Sequence, residues 1–271
     1  MQRTLPSRLR TPLAIGLIGA TLAACSTSPL GRNQLAFFSD EELQQMGQQS
    51  FAQYQQELPE VGGATYDYVQ CVADAITNEV PADAGIATWE VKVFKDDSAN
   101  AFALPGGYIG VNSGLLDVTE NQDQLAAVIG HEVAHVLSDH ANERVSTQAA
   151  TQTGLSILQS AAGLQGATGE QLMGLLGAGA QYGVILPFSR KQESEADKLG
   201  LDLMAEAGFD PNASIELWQN MAAQSQGQPP EWLSTHPSNE ARMQGLRERM
   251  NEAMPLYEQA RANGQRPDCR R

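Results

Sequence analysis

The chain of 271 residues carries 17 basic and 32 acidic side chains, a formal net charge of −15, with 42% hydrophobic residues. That balance excludes a disordered chain and supplies one substantial core, while the acidic excess argues against nucleic acid as a partner. No repeat of about 20 to 50 residues is present, which argues against a solenoid.

Residues 1–24 differ from the rest. Arg3, Arg8 and Arg10 precede an apolar run, Pro12 to Ala24, that is shorter than the roughly 20 residues of a membrane span and ends in small side chains. This is the form of a cleaved export signal. The tetrapeptide LAAC, residues 22–25, resembles the lipobox of bacterial lipoproteins. The resemblance implies cleavage before Cys25, acylation of that cysteine and a lipid-anchored protein of the bacterial envelope, facing the periplasm. Ser26, where an aspartate would argue for inner-membrane retention, favours the outer membrane. Several acyl chains hold firmly, because each buried methylene contributes about 0.8 kcal/mol. The expected organisation is a signal peptide over 1–24, a lipidated tether over 25–38, and one domain over 39–271. With Cys25 acylated, Cys71 and Cys269 remain, and an oxidising compartment permits a bridge from an early helix to the C-terminal tail.

SDEEL, residues 39–43, has the form of a capping box, Ser39 with Glu42, and opens a helix to about Leu58. A second helix is expected from about Thr65 to Glu79. TWEVKVFKD then alternates Trp89, Val91 and Val93 with charged residues, the period of a half-buried strand. In NAFALPGGYIGVNSGLL, residues 100–116, Pro105, Gly106 and Gly107 form a turn, and YIGVN reads as a strand of the same small sheet. Thr119 and Gln122 suggest a second capping box, with helix continuing to about Arg144. Residues 150–187 are Gly, Ala, Gln and Leu with almost no charge and read as a covering segment.

A third box, Ser189 with Gln192, starts a helix that Gly208 stops. Asp210 and Pro211 start the next, QSQGQPPEW (224–232) is a loop, and a charged helix follows THPSNEAR to about Met250. The fold class is α+β and mostly α-helical.

The chemistry concentrates in HEVAH, residues 131–135. Helical positions four apart share a face, so His131 and His135 can place two imidazole nitrogens on one ion. Glu132, one step round, stays off the ion yet near a metal-bound water whose proton a carboxylate can accept. A catalytic zinc needs a third protein ligand and one open position. His140 is nine residues from His131, about 180° away on a continuous helix, and reads as a surface residue. Downstream, Glu193, Glu195 and Asp197 are the candidates; Glu193 and Asp197 share a face, while Glu195 is rotated away.

HEVAH with SRKQESEAD, NAFALPGGYIGVNSGLL and THPSNEAR, four motifs in this order over about residues 35–250, resembles the zinc metallopeptidases related to the CAAX prenyl endopeptidases. More closely it resembles their soluble periplasmic lipoprotein (LoiP-like) branch. The resemblance implies a gluzincin-like domain with a small β-sheet edging the cleft, one Zn2+ per chain and metalloendopeptidase activity. It implies His131, His135 and Glu193 as zinc ligands and Glu132 as general base. Asp197 is expected to hydrogen-bond a ligand histidine and fix its tautomer. His236 and Arg242 fall on the HP…R segment that lies near the metal in the family. His236 either donates to the tetrahedral intermediate or occupies the open zinc position. The strand after PGG is expected to edge the cleft and pair with an extended substrate. Unfolded or misassembled envelope polypeptides are the implied substrates; a chaperone-like assembly factor with an autoinhibited zinc site is the alternative. Some relatives carry a long helical-repeat domain after the protease, and a docking role mediated by such repeats is not expected to transfer.

Overall fold

A computed structural model describes residues 25–161, 188–224, 231–236 and 240–271. The signal-peptide reading of residues 1–24, and residues 162–187 of the expected covering segment, lie outside that range. The elements are β1 (Cys25–Thr27), β2 (Asn33–Leu35), α1 (Asp40–Glu57), α2 (Ala64–Thr77), β3 (Glu90–Phe94), β4 (Ala101–Leu104) and β5 (Tyr108–Asn112). Then follow α3 (Gln122–Leu137), α4 (His140–Ala161), α5 (Arg190–Glu206), α6 (Asn212–Gln224), α7 (Glu231–Thr235) and α8 (Glu240–Ala262). The architecture is mostly helical with two small sheets, an α+β fold.

The expected capping boxes at Ser39 and Ser189 are present, each side chain accepting from the third helical N–H while Glu42 or Gln192 accepts from the cap N–H. The box expected at Thr119 is not. Thr119 Oγ1 donates to the Leu115 carbonyl, and Asn121 caps α3 by accepting from Gln124 N at 2.9 Å. A second correction matters more. The helix carrying HEVAH does not run to Arg144; it stops at Leu137, because Asp139 takes a left-handed conformation, φ 52°, and a new helix leaves from His140. Aspartate tolerates that conformation better than most residues.

In the larger sheet β5 is central, parallel to β3 and antiparallel to β4. The strand after PGG is therefore hydrogen-bonded on both sides and offers no free edge. The edges belong to β3 and β4, and it is β4 that lies beside α3. Helix α1 covers this sheet through Leu43, Gly47 and Phe51, one stripe at four-residue spacing. A side chain at Gly47 would meet the Pro105 carbonyl at 2.1 Å, so only glycine allows that approach.

The core joins Val69, Val72 and Ile76 of α2, Val91 and Val93 of β3, Ile109 and Val111 of β5, and Leu125, Val128, Ile129 and Val133 of α3. Helix α8 runs past Met250 and through Pro255, carried by the buried stripe Leu246, Ala253 and Ala260. Cys71 of α2 and Cys269 of the tail are bridged, with S–S 2.01 Å.

Residues 25–38 do not form a free spacer. Strands β1 and β2 pair as a hairpin, and Gln34 Nε2 donates to the Ser138 carbonyl at 2.9 Å while Ser146 Oγ accepts from Phe37 N at 2.8 Å. Among the described residues no helix is long and apolar enough to cross a membrane.

Candidate metal centre

Helix α3 is buried on nearly all sides, which is why its polar residues must find partners inside the protein. His131, Glu132 and His135 are 3–4% exposed. Helix α5 crosses α3 with backbones in contact. A side chain at Gly200 would stand 2.7 Å from His131 N, and one at Gly130 would stand 2.8 Å from the Gly200 carbonyl oxygen. This approach brings Glu193, 1% exposed, beneath both histidines. The short helix α7 closes the cluster with His236.

His131, His135, Glu193 and His236 each offer one ligand atom, and these four atoms lie within 4.8 Å of one another. His135 Nε2 is 3.0 Å and His236 Nδ1 is 3.2 Å from His131 Nε2. His236 Nδ1 is also 3.0 Å from Glu193 Oε1. Ring nitrogens aimed at one another this closely need a proton or a cation between them. Tetrahedral zinc with nitrogen ligands at about 2.0–2.1 Å has ligand–ligand edges of about 3.3–3.4 Å, so the donor set fits that ion.

The surrounding groups orient these donors. Asp197 Oδ1 accepts from His131 Nδ1 at 3.2 Å, as expected of that aspartate. Arg242 grips Asp197 with two parallel hydrogen bonds, Nε to Oδ2 at 2.7 Å and Nη2 to Oδ1 at 2.6 Å, and its Nη1 lies 2.5 Å from Glu193 Oε2. Burial alone would raise the Asp197 pKa, but the Arg242 charge and hydrogen bonds outweigh it and hold the carboxyl below its ordinary range. For Glu193 burial also pushes upward, and His131, His236 and Arg242 reverse it well below the usual value. Burial disfavours a charged His131 ring, yet Asp197 and Glu193 push its pKa up to about 9. A cation must therefore displace a proton there. His135 is driven the other way, first by burial and then by the charge of its histidine neighbours.

Glu132 is not one of the four donors and turns toward α7 and the far side of the His236 ring. Its Oε1 accepts from Trp232 Nε1 at 2.6 Å and lies 3.4 Å from His236 Nε2. Trp232 stacks on His236 at 24°, and its own backbone N–H donates to the Ala99 carbonyl at 3.1 Å.

Each candidate from the sequence thus has a definite place: His131, His135 and Glu193 in the donor cluster, Glu132 at its rim, Asp197 and Arg242 behind it, and His236 inside it. Three further groups join them. His140 is fully buried, with Nδ1 2.9 Å from His135 Nδ1, so reading it as a surface residue is wrong. The left-handed turn at Asp139 swings it back over the motif. Glu195 does face away from the cluster, and there it meets His140 Nε2 at 3.2 Å. Trp232 was missed within a stretch read as loop, although its four-residue spacing from His236 was a usable sign.

The profile of peptidase family M48 matches residues 64–250. The mitochondrial metalloendopeptidase OMA1 of Schizosaccharomyces pombe is 40% identical over 167 residues, 61% of this chain and 48% of its own. The mitochondrial metalloendopeptidase OMA1 of Danio rerio is 33% identical over 253 residues, 87% of this chain and 52% of its own. The beta-barrel assembly-enhancing protease of Escherichia coli is 32% identical over 174 residues, 62% of this chain and 36% of its own. The chain thus spans about half the length, or less, of these curated relatives.

Proposed function

The chain belongs to peptidase family M48, and from that premise we propose that it is a zinc metalloendopeptidase held in a closed state. The observation that carries the proposal is the buried cluster of three imidazole nitrogens and one carboxylate oxygen, with Glu132 at its rim. His131, His135 and Glu193 would hold the ion. Zinc bound there supplies Lewis acidity to a scissile carbonyl and to the attacking water.

The protein's own groups do the rest. Glu132 accepts the proton of that water and returns it to the leaving amine. Trp232 holds the Glu132 carboxylate in place through its indole N–H. Asp197 fixes which nitrogen of His131 carries hydrogen, and Arg242 compensates the charge that Asp197 and Glu193 bury.

His236 decides between two readings of its role. Its Nδ1 lies among the donors, which supports the reading of a fourth ligand over that of a donor to the tetrahedral intermediate. Cleavage then requires α7 to swing outward. An extended polypeptide would pair along β4, the edge strand beside α3, rather than along β5.

The lipobox at Cys25 supports a lipid-anchored protein facing the periplasm, with Ser26 favouring the outer membrane. Similarity to a protease named for β-barrel assembly, that of Escherichia coli, supports unfolded or misassembled envelope polypeptides as substrates, while membership of the lipoprotein branch is supported by the motifs alone. A second reading keeps support from the burial of all four donors: a chaperone-like assembly factor whose metal never meets substrate.

One set of assays separates the two. The purified protein should hold one zinc, and casein cleavage by it or by His236→Ala should stop with a chelator. Glu132→Gln should keep the zinc and lose cleavage by about 10²–10⁴-fold. Cleavage that survives in pure Glu132→Gln sinks the assignment; chain binding without cleavage in both unmutated protein and His236→Ala favours the assembly factor.

A further inference from the structure

The mechanism above leaves a buried acid, a buried histidine and the N-terminal hairpin unused, yet they form one continuous chain. His135 meets His140, Nδ1 to Nδ1, at 2.9 Å, and His140 Nε2 meets Glu195 Oε2 at 3.2 Å. The same Glu195 oxygen accepts from Arg32 Nε at 2.8 Å, and the other accepts from the Ser28 hydroxyl. Ser28 and Arg32 belong to the connection between β1 and β2, closed by Ser28 N to the Arg32 carbonyl at 2.8 Å.

We propose that Arg32 and Ser28 are positioning residues of the metal centre: they hold Glu195, which through His140 fixes the ring and tautomer of His135. The inference rests on the zinc reading of the cluster. Its logic is the direction of donation. If His135 offers its Nε2 lone pair to a cation, its Nδ1 must carry the hydrogen. His140 Nδ1 must then accept, which leaves His140 Nε2–H to donate to Glu195. Glu195 must accept from every side, and Arg32 can only donate. Only one polarity satisfies the whole chain, and it is the one that leaves His135 Nε2 free to ligate.

The surroundings agree with that polarity: the His140 ring is fully buried between His135 and Glu195, and the other two groups on Glu195, the Ser28 hydroxyl and the Arg32 guanidinium, both donate to it. Arg32 is itself held by more than Glu195. Its Nη1 meets Glu143 at 2.6 Å and its Nη2 donates to Gln34 Oε1 at 2.9 Å, while Gln34 is bonded to the Ser138 carbonyl at the helix break. The hairpin that starts at Cys25 is thereby built into the support of a ligand on α3.

The test measures zinc affinity of the full chain by competition with a chromophoric chelator, beside the visible spectrum of the cobalt-loaded protein. Glu195→Gln puts an amide where an acceptor is required and should weaken zinc about 10–100-fold, the usual effect of losing such a support. Arg32→Ala should weaken it several-fold and shift the cobalt bands. In a His140→Asn background Arg32→Ala should add nothing, because its route to the metal is gone. Zinc affinity and cobalt spectrum unchanged in Glu195→Gln and Arg32→Ala, with only the melting temperature lowered, would overturn the proposal, as would full additivity with His140→Asn. Should Arg32→Ala not fold, Ser28→Ala deletes a single hydroxyl and is read the same way. Unmutated protein that takes up no zinc is a separate failure, that of the zinc reading itself.

Discussion

Two sets of side chains meet at the metal cluster, and they are held in different ways. His131, His135 and Glu193 stand on α3 and α5, long helices whose backbones touch at Gly130 and Gly200. Trp232 stands on α7, five residues long, and His236 follows it directly; beside the buried Trp232 ring they are held by a few hydrogen bonds: Trp232 N to Ala99, Phe188 N to Thr235, and the indole to Glu132. Backbone contact between helices leaves nothing to relax, so the first set keeps its geometry as long as the core is intact. Each hydrogen bond of the second set contributes only about 0.5–1.5 kcal/mol net, and α7 joins its neighbours through the Trp232 ring rather than through backbone contact, so it is the less firmly held part. A site that must be both accurate and openable needs one part of each kind.

The strongest way to break this comparison is at Arg242, which belongs to the rigid half. Arg242→Ala leaves Asp197 and Glu193 as buried charges without their cation and should cost about 3–5 kcal/mol in urea unfolding. A loss below about 1 kcal/mol would mean that the rigid half is not held as described.

Cys71→Ser removes the bridge to Cys269 and should cost about 2–5 kcal/mol of stability. It should leave zinc affinity unchanged. The tail joins α3 near Gln122, about 13 Å along the helix from His131, at the end away from the cluster. Altered zinc affinity in that variant would show the two ends of α3 to be coupled.

Gly200→Ala places a methyl against the His131 backbone and should cost about 1–3 kcal/mol, with weaker zinc binding because α3 and α5 are pushed apart. Chelator competition on the folded variant reads this directly. The smallest effect is expected on the movable side. His236→Ala releases a closure of about 1 kcal/mol and should speed casein cleavage roughly fivefold, with the zinc retained. Slower cleavage would place His236 among the groups that stabilise the transition state.

The particular successes and failures of the sequence reading divide along physical lines. Ser39 with Glu42 and Ser189 with Gln192 were legible because a capping box is complete within four residues. His131 with His135, and Glu193 with Asp197, were legible because helical spacing alone puts each pair on one face. His140 was not, since one left-handed residue at Asp139 changed its direction and no local pattern required that break. The free edge of the sheet was also misplaced. The family resemblance put it at the strand after PGG, and strand alternation does not say which neighbours a strand pairs with; the edges are β3 and β4, not β5.

Spacing and side-chain chemistry alone determined that a helix would present two imidazoles and a carboxylate, that a second helix would offer an acid pair, and that two cysteines were available to bridge. These are properties of a few neighbouring residues and follow from helical geometry and functional groups. The tertiary structure alone decided how the pieces meet: α3 against α5 at two glycines, α7 over the cluster, and the N-terminal hairpin behind His135. Such contacts join positions tens to more than a hundred residues apart, and they are selected by how buried surfaces and polar groups satisfy one another across the whole chain, which no short stretch of sequence encodes.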